Sequence, residues 1–125
     1  MILRNAVRTP DGTLLESHHT FDYKGHTDAN GEYYMVDGGI RYLRYSEPSS
    51  APATCLYLST DDTHEEIREG FSWGTYGINR DEALKYVLLK DMDTSHINAI
   101  ITTHPHIAAE LRKVFRDELI YRGNK

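Results

Sequence analysis

The sequence predicts an α+β domain: an antiparallel β-sheet from the N-terminal two-thirds, packed with about three helices, the last at the C-terminus. Three observations carry this. Short runs rich in strand-favouring residues alternate with Gly, Pro, Asn and Asp clusters through the first half. An Asn-Gly pair at 30–31 stands between two such runs and is a strong short-range hairpin signal. The C-terminal segment shows apolar residues at helical spacing.

In chain order, ILRNAV (2–7) predicts a strand, and TPDGT (9–13) a turn in which Pro10 and Gly12 flank Asp11. TLLES (13–17) resumes the extended run, DANGE (28–32) turns the chain, and EYYMV (32–36) returns it. DGG (37–39) is a further turn. IRYLRY (40–45) reads as a strand with Ile40, Tyr42 and Arg44 on one face. EPSSAPA (47–53) is expected as a flexible surface loop, and TCLYLS (54–59) as a short apolar strand with Cys55 in the core. Asp61, Asp62 or Thr63 can cap a helix over 62–71, and Glu65 and Glu66 suit its positive end. ALKYVLL (83–89) is compatible with strand or helix, and Tyr86 and Val87 favour strand. A helix over 93–102 follows, capped by Asp93 or Thr94. The final helix is expected over 106–122, opened by His104-Pro105-His106 and stopped at Gly123. Its wheel buries Ile107, Leu111, Val114, Phe115 and Leu119. Arg112 and Arg116 lie one turn apart beside that stripe, with Glu110, Lys113 and Asp117 on the solvated side.

The 125 residues fit a single ligand-binding domain over 1–125, and 39% hydrophobic with 26% charged content suffices for a modest core. A net charge of −5 argues against a nucleic-acid polymer as partner. A lone cysteine excludes a disulfide framework within the chain. No apolar run approaches the ~20 residues of a membrane span, and MILRNAVR shows no signal-peptide pattern. A soluble, cytoplasmic protein with no membrane contact is expected. Nine tyrosines against three phenylalanines suit half-buried faces, interfaces and ligand pockets.

Each chemical candidate has a structural competitor. SHHTFDYKGHTDANGEYYMVDGG (17–39) holds three histidines and three aspartates, yet carries no metal-binding motif, and a polar hairpin accounts for it. His104 and His106 lack a motif that supplies a nucleophile, so a role at the helix start is favoured. In SWGTYGIN (72–79), Trp73 and Tyr76 can stack on a base, or Trp73 can be a core residue. Arg112 and Arg116 can grip phosphate, or pair with nearby acids such as Glu110.

Several segments taken together carry a resemblance: NAVRTPDGTLLESHHTFDY, HTDANGEYYMVDGG, HEEIREGFSWGTYG, LKYVLLKDMDTSHINAI and ELRKVFRDELIYR. In order and over nearly the whole chain apart from 46–53, they resemble the type 1 Thoeris anti-defence family of phage. The resemblance implies a sponge that binds a cyclic ADP-ribose isomer made by a TIR-domain enzyme, does not cleave it, and so blocks Thoeris immunity from the host cytoplasm. It implies a homodimer or hexamer with pockets where protomers meet, and a separate site for cyclic di- or trinucleotides. No cofactor, no metal and no catalytic residue is implied. By resemblance, Arg112 and Arg116 contact the ligand from the last helix, and Tyr86 stacks its adenine. Thr94, Ser95 or His96, with Asn98 as a further choice, stands where the family has an asparagine, a departure that affects this contact. Arg68 is assigned as a further arginine contact, and Trp73 joins the ligand-binding set. Two other functions compete: an interaction protein that inhibits a host defence enzyme directly, and a nucleotide-signal hydrolase.

Overall fold

The expected mixture of antiparallel strands and three helices is present in the computed structural model, which describes residues 1–77 and 80–123. The chain divides into two compact units, 1–59 and 60–125. The antiparallel pairing is spread over three sheets, two in the first unit and one in the second.

In the first unit, β1 (Ile2–Arg8) pairs with β2 (Leu14–Ser17) around the 9–13 turn, where Gly12 takes φ +90°. β3 (Lys24–Thr27) and β4 (Tyr33–Asp37) form the hairpin predicted by Asn30-Gly31. Its turn closes by hydrogen bonds from Gly31 N to Asp28 O and from Asp28 N to Glu32 O. β5 (Arg44–Ser46) adds to β4 on the far side from β3. β6 (Thr54–Cys55) and β7 (Leu58–Ser59) both return to β1.

The register sets the core. Val7 lies opposite Leu15, and Tyr34 and Val36 alternate along β4, so these four side chains share a cluster with Ala53 packed against it. Burying each large apolar side chain contributes roughly 1.5–3 kcal/mol. The buried Tyr34 hydroxyl is satisfied by donating to Ala51 O at 2.7 Å. Two buried polar residues then fasten the loops. Asn5 Nδ2 donates to Asp37 O and Gly39 O at 2.8 and 3.2 Å. Ser17 Oγ donates to Asp22 O at 2.6 Å and accepts from Gly39 N at 2.9 Å. Gly39 has φ +54°, and a side chain there would collide with the His19 backbone.

Several details depart from expectation. Cys55 is exposed, because β6 is a two-residue strand whose pairing engages the backbone and leaves both side chains in solvent. Residues 40–43 do not extend the strand: Arg41 N and Tyr42 N bond back to Gly38 O, so a turn precedes β5. TCLYLS is divided between β6 and β7. The 47–53 loop is held at both ends, by Ala53 N on Glu47 Oε2 at 2.6 Å and by Tyr34 on Ala51.

In the second unit, α1 (His64–Gly70) starts at Thr63, whose Oγ1 accepts from Glu66 N. β8 (Ser72–Thr75) and β9 (Lys85–Leu88) pair as a hairpin, confirming the strand preference of Tyr86 and Val87. A 3₁₀ turn at Leu89–Asp91 leads to α2 (Thr94–Thr103), and α3 (Ala109–Tyr121) follows. Gly123, at φ +83°, ends α3 with its N–H on Ile120 O. Phe115 of α3 sits at the centre of the packing, 6.0 Å from Phe71 and 5.3 Å from Trp73 between ring centroids.

The His104-Pro105-His106 segment does not open α3. The first intrahelical bond is Arg112 N to Ala108 O, and residues 104–108 form a separate turn closed by Ile107 N on His104 O. The wheel expected for α3 also needs one correction. Leu111, Val114 and Phe115 are buried, Ile107 and Leu119 only half-buried, and Glu118 is fully buried. Among the described residues no helix is long and apolar enough to cross a membrane.

Candidate functional site

The polar stretch 17–39 is consumed by the hairpin. His26 Nε2 meets Asp11 Oδ2 at 2.8 Å and Thr13 Oγ1 at 3.3 Å, tying β3 to the first turn. Asp11 also accepts from Thr9 and Thr13, and the Thr9 hydroxyl followed by the His26 and Thr13 bonds holds its carboxyl well below the ordinary range. Asp22 Oδ2 accepts from His18 N at 2.8 Å. Among the described residues, no group of three or more His, Cys, Asp or Glu is placed to hold a metal ion.

All the residues expected at a ligand site lie in the second unit. Its hairpin of helices presents them in two groups. At the junction of α2 and α3, Arg112 Nη1 donates to Ile101 O at 2.7 Å and Nη2 to His104 O at 3.1 Å. This fork satisfies carbonyls at the C-terminal end of α2, which have no intrahelical partner. His104 in turn meets Trp73 edge-on at 5.9 Å, and Trp73 meets Phe115 in the same manner. Trp73 is thus half-buried and packed, in line with the core reading. Arg116, one turn along α3, is exposed to solvent.

At the other end of the helical hairpin, Arg122 Nη1 reaches Thr94 Oγ1 at 3.1 Å, and its Nη2 reaches Leu89 O at 2.9 Å. Ser95 is exposed and His96 half-buried in this first turn of α2, and Asn98 is exposed. The start and end of α2, Thr94 and Thr103, are nine residues apart, about 13 Å along the axis. Ser95 and His96 therefore do not converge with Arg112 within one chain.

Arg68 belongs to the second group. Its Nε and Nη2 bond Glu118 Oε1 and Oε2 at 3.0 and 3.1 Å, a bidentate pair, and its guanidinium lies 4.3 Å over the Tyr121 ring. Arg122 Nε donates to the same carboxylate at 2.7 Å, and His64 Nε2 lies 2.9 Å from it. Burial pushes the Glu118 carboxyl up, but hydrogen bonds from Arg68, Arg122 and His64 outweigh burial and hold it below the usual range. The bond to Glu118 raises Arg68 correspondingly. This four-residue hub was not foreseen. Its one sequence signal is a carboxylate on the buried stripe, three residues after Phe115 and four before Arg122.

Tyr86 stands apart from Trp73. Trp73 faces Val87 across the β8–β9 pair, whereas Gly74 faces Tyr86, so the two aromatic side chains project from opposite faces. The Tyr86 ring lies across Gly74, where an added Cβ would come within 3.0 Å of it, and is 40% exposed. A side chain at position 74 would make that ring give by a few tenths of an ångström. Ile78 and Asn79 of the SWGTYGIN segment lie outside the described residues.

An open groove of about 370 Å³ runs along α1 and α3, with Asp62, Glu110 and Asp117 outnumbering Lys113 on its walls. Its acidic walls disfavour a pyrophosphate. Comparison of the chain with protein-family models, curated proteins and solved structures finds no match.

Proposed function

We propose that this protein binds and sequesters a cyclic ADP-ribose isomer made by a TIR-domain enzyme, without cleaving it, and so blocks Thoeris immunity as a phage anti-defence protein acting in the host cytoplasm. The observation that carries the reading is the arginine pair one turn apart on α3. Arg112 is fixed by the end of α2, while Arg116 presents its guanidinium to solvent on the following turn. A guanidinium fork suits a pyrophosphate, and an exposed tyrosine ring beside a glycine suits an adenine. Because Ser95, His96 and Arg68 gather at the opposite end of the helical hairpin, the ligand is enclosed where two copies of the chain meet. A guanidinium already fixed, as that of Arg112 is, adds little ordering cost on binding, as a sponge requires.

The test is calorimetric titration of the purified protein with a cyclic ADP-ribose isomer, followed by heat denaturation and assay of the released nucleotide. Saturable binding with recovery of intact nucleotide is expected. Arg116→Glu should weaken binding by about ten- to a hundredfold, the range for a lost charge-assisted bond, with unchanged circular dichroism. Recovery of a cleaved product would make the protein a hydrolase, and absence of binding at micromolar concentration would reject a nucleotide function.

A further inference from the structure

Independently of any nucleotide, one buried carboxylate fastens two helices of the second unit. We propose that the Glu118 hub makes α1 a proton-operated latch: a proton taken up at the hub frees α1 from α3 while the rest of the second unit stays folded. α1 has seven residues, and a helix that short is not stable by itself, so its place is set by what it touches. Among the described residues, every side-chain hydrogen bond from α1 to α3 ends on Glu118. His64 Nε2 and Arg68 Nε reach Oε1, and Arg68 Nη2 reaches Oε2. The apolar anchors of this segment are Ile67 and, just past the helix, Phe71, which lies against Phe115 and accepts from Leu89 N through its carbonyl. The remaining polar tie of α1, Glu69 to Lys90 at 2.8 Å, leads to the 3₁₀ turn and is open to solvent, where such pairs contribute little.

The chemistry of the hub makes it sensitive to a proton. An ionised carboxylate only accepts, and Glu118 meets donors on all sides. From α1 these are His64 and Arg68; from the end of α3 it is Arg122, with the Tyr121 ring under Arg68. The 3₁₀ turn contributes the carbonyls of Leu89 and Lys90, which take Arg122, while the Lys90 ammonium is turned to Glu69. A proton on the carboxyl group puts a hydroxyl among guanidinium donors, and a proton on His64 adds a third cation. Either change leaves like charges together in a buried place with less between them. The two helices then differ in what still holds them. Arg122 keeps Thr94 Oγ1 and Leu89 O, so α3 stays tied to the start of α2. Arg68 keeps only the Tyr121 ring among the described residues, so α1 is the part that leaves. The opening follows as pH falls through the depressed value of the folded carboxyl.

The test is residue-resolved hydrogen exchange on the full chain. Between about pH 7 and about pH 4, exchange at amides 67–71, corrected for its intrinsic pH dependence, should accelerate about tenfold or more beyond that of the α3 amides. Glu118→Gln carries a neutral amide in place of the carboxylate. It should show that gap between α1 and α3 already at neutral pH and hold it constant across the window. Should this variant fail to fold, the wild-type series decides by itself. Acceleration of α1 and α3 together overturns the proposal, because the hub is then part of one cooperative core. Exchange at 67–71 that keeps pace with α3 down to acid unfolding overturns it as well, and so does a gap already present in the wild type at neutral pH, which leaves nothing for a proton to release.

Discussion

Glu118 is a carboxylate with 0% exposure, held by two guanidiniums and an imidazole. Such a group is stabilised only while its partners remain, because an unpartnered buried charge costs several kcal/mol. Glu118→Ala should strand Arg68 and Arg122 and destabilise the chain by about 3–5 kcal/mol in urea denaturation. Its pH dependence follows from the sign of its shift. The folded carboxyl is depressed below its unfolded value, so its stabilisation is fully present above the ordinary carboxylate range and is lost as pH falls through the lowered folded value. The stability gap between the wild type and Glu118→Gln should therefore narrow as pH is lowered from about 5 toward 3. A gap that stays constant over that window would mean that the carboxylate is not the anchor of the hub. The position was half legible in the sequence. Its place on the helical stripe of Leu111, Val114 and Phe115 was visible, but a charged residue is by default assigned to solvent, and Arg68 lies 50 residues away.

At the scale of elements, the two arginines of α3 have different work. Arg112 bridges Ile101 O and His104 O, so Arg112→Ala removes the donor to Ile101 O and leaves His104 O with Ile107 N alone. A loss of about 1–3 kcal/mol is expected from thermal or urea unfolding. Lysine should restore only part of it, because an ammonium on a flexible stem lacks the planar fork. Arg116→Ala, on the exposed turn, should change stability by no more than about 0.5 kcal/mol. If both variants weaken nucleotide binding, only the second reports on ligand contact without a change in fold. The loop clamp of the first unit is a second element-scale device. Gly39 combines a positive φ with contact against the His19 backbone, so Gly39→Ala should cost about 2 kcal/mol or more, read as a lowered urea midpoint. Strands and caps were legible where local chemistry decides them, as at Asn30-Gly31, Thr63 and Gly123. They were not legible where distant partners decide. The start of α3 is displaced past Pro105 because the turn at 104–108 closes on His104 O, which also accepts from Arg112, and Ile40–Leu43 turn because Gly38 and Asn5 gather that loop.

For the molecule as a whole, the tyrosine excess is a surface property. Of nine tyrosines only Tyr34 is buried, and the other eight are each at least 40% exposed. Phe21 at 90% and Ile40 at 44% join them. The proposed ligand residues call for more than one copy of the chain, because Arg112 and Ser95 mark opposite ends of one helical hairpin and a small nucleotide needs walls on more than one side. Under the sequestration reading, assembly and ligand binding are then linked. Each copy supplies part of the pocket, so ligand strengthens association and association strengthens ligand binding by the same factor. Sedimentation velocity should show a homodimer or larger species whose dissociation on dilution is suppressed by a cyclic ADP-ribose isomer. The thermal midpoint should rise with nucleotide concentration, by the equivalent of about 2.7 kcal/mol at a hundredfold excess over Kd. Arg116→Glu should remove the nucleotide's effect on both measurements while leaving the unliganded midpoint in place. A monomer that binds the nucleotide with an affinity independent of protein concentration would place the whole pocket within one chain, and would require Tyr86 and Arg116 to close on the ligand without a second copy.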